Sequence, residues 1–225
     1  MVELTKEQIQ FIDHRLENEG IKYWDVRIEM LDHVVSDVEK RLEKDQEFKK
    51  IVNNSFISLG WNGSFEDLNK QGWKNANKGH RKIYLQGFID FFKNYLNLLV
   101  LGFFLLGIYF LSEVLLHKTF LKVSYGVFLS PLMLCFYLFF KTRKKKYGKS
   151  VHRYYAFFYL MLSFILLNVV MNFMKVGGDF AFPIIYHKPI LFFILPLHLI
   201  LVHAGYGVYK SAIGKVEHMR KQLLS

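Results

Sequence analysis

Apolar positions follow two rhythms along this 225-residue chain. Up to about residue 80 they recur every three or four positions between charged and amide side chains. Beyond that they fuse into long runs. The first rhythm predicts amphipathic helices, each with one stripe to bury. Thr5 and Gln8 make a capping-box pattern ahead of a first helix carrying Ile9, Ile12 and Leu16, and Gly20 stops it. A second helix is predicted from about Tyr23 to Leu42, with Leu31, Val34, Val35, Val38 and Leu42 as its stripe. A third, from about Gln46 to Leu59, uses Phe48, Ile51, Val52, Phe56 and Leu59 and ends at Gly60. Ser64 and Asp67 suggest a last short helix near Phe65–Gln71. No single helix can hide its own stripe, so these must pack together. A core this small has limited stability, which invites support from a second copy or from the rest of the chain.

The second rhythm decides the class. Tyr95–Ser112, Val123–Phe140, Tyr154–Met174 and Pro189–Tyr209 contain no Lys, Arg, Asp or Glu. A helix needs about 20 apolar residues to cross the hydrocarbon core. With short flanks, the predicted spans are 92–112, 121–140, 153–174 and 189–209. The expected fold is all-α: a small cytosolic helical bundle with its linker over residues 1–80, then a four-helix transmembrane bundle over 81–225. The polar, basic stretch Gln71–Arg81 reads as a linker lying on the membrane surface, with Trp73 and Tyr84 at headgroup depth. Pro131 and Pro196 are expected to kink or locally open the second and fourth spans.

Charge sharpens this division. Residues 1–93 hold 15 Lys/Arg and 16 Asp/Glu, net −1, whereas residues 94–225 hold 15 and 3, net +12; together they make the formal +11. The excess sits in loops and tail, above all in KTRKKKYGKSVHR (141–153), where Lys141, Arg143, Lys144, Lys145, Lys146, Lys149 and Arg153 stand without an acid. Short basic loops stay cytoplasmic. Four spans then put the amino domain, this loop and the tail on one side, with both termini in the cytoplasm. The same cations suit anionic headgroups, and the acid-balanced amino domain argues against nucleic acid. The amino terminus has no apolar signal-peptide core. The lone Cys135 lies within the second span and reads as a small apolar residue.

Candidate chemistry is sparse. His198 and His203 are the costliest residues of the apolar runs. Together with Asn168, Asn172 and Tyr206 they could form a polar cluster inside the bundle, either as interhelical hydrogen bonds or as a proton, ion or small-molecule site. A spacing of five residues sets the two histidines about 140° apart, so they do not chelate from one face. In EMLDHVVSDVE, Glu29, His33 and Asp37 share a helical face beside Asp32. That quartet suits a divalent metal ion such as Zn²⁺, and equally a salt-bridged surface or a helix-docking contact. No phosphate-binding glycine loop, nucleophile elbow or CxxC pair occurs.

The acidic-apolar helix EMLDHVVSDVEKRL (29–42) and the helix ending at Gly60 resemble the small helical HAAS-type domains that precede membrane segments in bacterial proteins. The similarity covers roughly residues 5–70 and departs at WNGSFEDLNKQGWK. It implies a layout of a regulator-facing helical domain followed by several spans. The Phe-, Lys- and Asn-rich style also looks bacterial, hence an inner-membrane location. The expected function is a signalling or scaffold role in which residues 5–70 bind a cytosolic protein or a second copy. A subunit of a small oligomeric transporter or channel using the Asn/His residues is the alternative, and a membrane-embedded enzyme the third reading.

Overall fold

A computed structural model describes residues 3–42, 47–61, 65–145, 147–173 and 183–224. Among them the chain is helical throughout and contains no strand. It divides into two compact units. The first holds Met1–Lys78, Tyr147–Arg153 and Lys215–Ser225, and the second Gly79–Lys146 and Tyr154–Gly214.

In the first unit, α1 (Lys6–Asn18) starts at the expected capping box, with Thr5 Oγ1 accepting the Gln8 N–H and the Gln8 side chain accepting the Thr5 N–H. Gly20 and Gly60 adopt φ of 101° and 76°, a region open to glycine at little cost, and each closes a helix as predicted. α2 (Trp24–Arg41) buries Val26, Met30, Val34 and Val38, one residue per turn. The stripe is therefore rotated from the predicted one: Leu31 and Val35 are only half-buried. α3 (Phe48–Ser58) adds Ile51, Val52 and Phe56 to Ile12 and Leu16 of α1. Arg27 clamps α2 to α1, donating to Asp13 and Glu17 at 2.8 Å each.

α4 (Phe65–Lys93) is far longer than the expected final helix. The short final helix and the surface linker are one continuous 29-residue helix. Ser64, offered as its cap, lies outside the described residues. Each of the two aromatics has a ring partner. Trp73 meets Tyr23 edge-on at 5.0 Å in the first unit, and Tyr84 is buried against Tyr159 in the second.

Four helical stretches are long and apolar enough to cross a membrane: Tyr95–Val114, His117–Lys144, Val151–Asn172 and Ile184–Lys221. The first is α5 (Tyr95–Val114), which Asn94 caps through the Leu96 N–H. The second is α6 (His117–Lys144) and the fourth α9 (His187–Leu224), entered through a 3₁₀ turn at Ile184–Tyr186. Both run without interruption through Pro131 and Pro196. The interruption falls in the third span, between α7 (Val151–Met161) and α8 (Phe164–Phe173), where no proline stands. There α9 comes close: a Cβ on Gly205 would lie 2.5 Å from the Tyr159 carbonyl oxygen and 2.9 Å from Leu160 Cα. At Gly102, Gly107, Gly126 and Gly207 the space is open.

Candidate functional site

The most densely bonded site of the first unit is built around Asp25, a residue the sequence did not single out. Its carboxylate is 1% exposed. Oδ2 accepts the Ser150 hydroxyl at 2.7 Å and the His152 N–H at 2.9 Å, and Oδ1 accepts the Val151 and Val26 N–H groups at 3.1 Å each. Helices begin with N–H groups that lack intrahelical acceptors. Asp25 supplies acceptors to the start of α7 from a distance of 125 to 127 residues, while Ser150 caps the same turn locally by accepting the Arg153 N–H at 3.1 Å. Trp24 reinforces the hold, donating its indole N–H to the Tyr147 carbonyl at 2.7 Å and its backbone N–H to that of Lys149 at 3.2 Å.

The tail joins from the other side. Lys215 Nζ lies 3.0 Å from Glu29 Oε1, and the buried His152 sets its Nε2 3.9 Å from the same oxygen. The His152 imidazole and the Lys215 ammonium hold the Glu29 carboxyl down to about 2, against an ordinary 4.5. Lys215 makes the shorter contact. Tyr147 donates its hydroxyl to Glu217, and Arg220 lies over the Tyr147 ring. Three segments distant in sequence are thus fastened through side chains and caps.

The quartet offered for a metal is not assembled. Glu29 faces Lys215 and His152. Asp37 sits 2.9 Å from Arg41 and accepts the Ser58 hydroxyl at 3.2 Å; burial raises its carboxyl, but Ser55, Arg41 and Ser58 together outweigh it and hold the carboxyl below the usual range. Asp32 and His33 are exposed. Among the described residues no three His, Cys, Asp or Glu side chains converge as metal ligands would.

The polar cluster expected in the spans is likewise dispersed. Asn172 donates back to the carbonyl and side-chain oxygens of Asn168 at 2.9 Å, and both are exposed on α8. His203 is exposed and edge-on to Phe91. Tyr206 stacks on Tyr209 beneath Lys210. His198 alone is buried, 2% exposed between Phe128 and Phe164, with Nδ1 3.4 Å from the Ser163 carbonyl at the α7–α8 interruption. The helical phase explains the dispersal, because residues on different faces of two helices cannot all point to one place. Of the basic loop, Lys141, Arg143, Lys144, Lys145 and Lys149 are exposed and Arg153 is half-buried, its guanidinium reaching the Gly148 carbonyl. Lys146 lies outside the described residues.

A second polar group in the spans was missed. His117 opens α6 and His187 opens α9, and their rings meet at 3.1 Å beside the Glu113–Lys188 pair. Ser150 was legible as a cap ahead of an apolar run. Asp25, His117 and His187 carried no local signal. No family model, curated protein or solved structure matches the chain.

Proposed function

We propose that this protein is a bacterial inner-membrane protein whose helical amino-terminal domain faces the cytoplasm and works as a regulatory or scaffold module. It binds a cytosolic protein, or a second copy of itself, through α1–α3. The reading is supported chiefly by the membership of the first unit, which contains the amino-terminal helices, the segment Tyr147–Arg153 and the chain from Lys215 onward. A partner seated on α1–α3 acts on a body that includes the first turn of α7, held by Asp25, and the end of α9, held through Lys215. Occupancy of the helical domain is thereby felt at the ends of the third and fourth spans. The common location of these three segments also agrees with the parity of four crossings. The basic side chains of the 141–153 loop and the tail support a cytoplasmic location for that side, against anionic headgroups.

The experiment uses the full chain, because residues 1–75 alone would lack the donors that Asp25 satisfies. Photocrosslinking residues replace Phe11 and Ile57, both exposed on α1 and α3. In intact bacteria they are expected to yield one discrete protein adduct or a self-adduct, and a reporter fused after Ser225 is expected to be active in the cytoplasm. Absence of any protein adduct from both positions, or a reporter outside the cytoplasm, overturns the reading.

A further inference from the structure

The second half of α4 has three different sides. Tyr84, Gly87 and Phe91 share one of them, at about 100° per residue. That side packs within the second unit. Tyr84 meets the Tyr159 ring at 5.2 Å, and Phe91 meets His203 edge-on at 5.2 Å. At Gly87 two helices come close: a Cβ there would stand 3.4 Å from Ala204 Cα of α9. Leu85, Ile89 and Phe92 form the second side, within about 60° of one another, and are 56%, 52% and 45% exposed. Lys82, Gln86, Asp90 and Lys93 form the third, and all are exposed. There Asp90 accepts from Gln86 at 2.9 Å and from Lys93 at 2.8 Å. We propose that residues 81–93 are an interfacial helix, lying along the membrane surface with the apolar side in the acyl chains and the polar side among the headgroups.

The fourth span supplies a ruler for depth. Ala204 lies six residues before Lys210, the first charged residue after the apolar run. At 1.5 Å per residue that is about 9 Å along α9. The apolar face of an interfacial helix sinks about 5–10 Å into the boundary between headgroups and acyl chains. Gly87 therefore meets α9 at the depth such a helix occupies. The polar side sets the attitude. It runs from Lys82 to Lys93, about 17 Å along the helix. A helix pointed straight across the bilayer would carry Asp90 and Lys93 into hydrocarbon, where charged side chains are costly. A helix lying along the surface keeps the whole polar side among headgroups.

Two further observations point to lipid as the occupant. The exposed apolar side is continuous along the chain with the first span. Asn94, extended at φ −97° and ψ 116°, separates α4 from α5 and caps the latter, which lets the chain turn from the surface into the bilayer. Tyr95, Leu96 and Leu99 of α5 then carry the exposed apolar surface onward. Charge agrees: Arg81, Lys82 and Lys93 against Asp90 leave residues 81–93 at net +2, which suits anionic headgroups. This placement rests on the four long apolar helices and not on what α1–α3 bind.

The test uses the full chain in vesicles of phosphatidylcholine and phosphatidylglycerol. Spin labels are placed singly at Lys82→Cys, Leu85→Cys, Gln86→Cys, Ile89→Cys, Phe92→Cys and Lys93→Cys, in a Cys135→Ala background that removes the native thiol. Collisions with oxygen, which concentrates in lipid, are compared with collisions with a nickel chelate, which stays in water. The oxygen-to-nickel ratio is expected to be severalfold higher at 85, 89 and 92 than at 82, 86 and 93. A ratio that climbs steadily from 82 to 93, without helical periodicity, would mean a helix crossing the bilayer and overturns the proposal. High nickel collision at all six positions puts the apolar side in water and also overturns it. Labels at 85, 89 and 92 shielded from both reagents would mean that protein covers this side, a second copy where the labels broaden one another, and that outcome overturns it too. The parent chain gives an independent reading that no labelled variant's misfolding can obscure. A phosphatidylcholine with a diazirine in its acyl chain is expected to modify Leu85, Ile89 or Phe92 and to spare Gln86; absence of any adduct between 82 and 93 overturns the proposal.

Discussion

Replacing Asp25 by Ala removes the acceptor for four donors: the Ser150 hydroxyl and the N–H groups of Val26, Val151 and His152. The hydroxyl can rotate to another acceptor. The two donors of α7 cannot, because the turn they belong to is buried at Val151 and His152. A buried donor left without a partner costs about 1–3 kcal/mol, and loss of an N-cap residue alone about 0.5–2 kcal/mol. These estimates overlap rather than add, and about 2–5 kcal/mol describes the whole change. Each 1.4 kcal/mol is a factor of ten, so local opening around residues 147–153 should become at least about 30-fold more frequent. Hydrogen exchange read by mass spectrometry on the intact protein in detergent measures this directly. The peptide containing Tyr147–Arg153 should exchange at least about 30-fold faster in Asp25→Ala, with Asp25→Asn between it and the parent because one carbonyl oxygen remains. Peptides from the middle of α6 should be unchanged. If the Tyr147–Arg153 peptide exchanged at its original rate in Asp25→Ala, the capping argument would be refuted, and with it the support for coupling through this turn.

Four further substitutions probe other parts of the structure. Glu29 has its pKa lowered to about 2 in the folded chain, so its ion pair contributes fully above about 4.5 and is lost as pH falls toward 2. Lys215→Met should raise the Glu29 midpoint, followed by carbon NMR of the labelled carboxyl. Because both side chains are about half exposed, stability should change by less than about 1 kcal/mol. Gly205→Ala forces the backbones of α7 and α9 apart and should destabilise by about 1–3 kcal/mol. Gly207→Ala, in open space, should be neutral or gain up to about 1 kcal/mol; equal thermal-unfolding shifts for the pair would dismiss the close approach. His198→Leu exchanges a buried imidazole whose Nε2 has no hydrogen-bond partner among the described residues for an apolar group of similar size. Its melting temperature in detergent should hold or rise, and a fall of several degrees would mean that the ring makes a bond the bundle needs.

Periodicity, caps and stops all act over a few residues, and these are the features the amino-acid sequence resolved by itself. The capping box at Thr5, the glycine stops at 20 and 60, the helical class and the four long apolar helices follow from neighbours within a turn or two, or from the cost of leaving backbone groups unbonded in hydrocarbon. The phase of α2 was displaced because its stripe is chosen by what packs on it: a Cβ on Gly72 of α4 would lie 2.8 Å from Val26, a neighbour that no local pattern announces. The linker proved helical because a polar stretch keeps its helix when flanking turns are held in place.

Tertiary structure alone decided which polar groups meet. Asp25 has the local appearance of an ordinary acid in a helix's first turn, yet its partners lie 125 to 127 residues away. His117 and His187 sit at the edges of apolar runs, where a histidine looks like punctuation until two helix starts are brought together. The intramembrane residues that drew notice for their cost, Asn168, Asn172, His198, His203 and Tyr206, were scattered because burial cost is a property of one residue whereas a site is a property of several. Composition and spacing report the first; only the folded path of the chain sets the second.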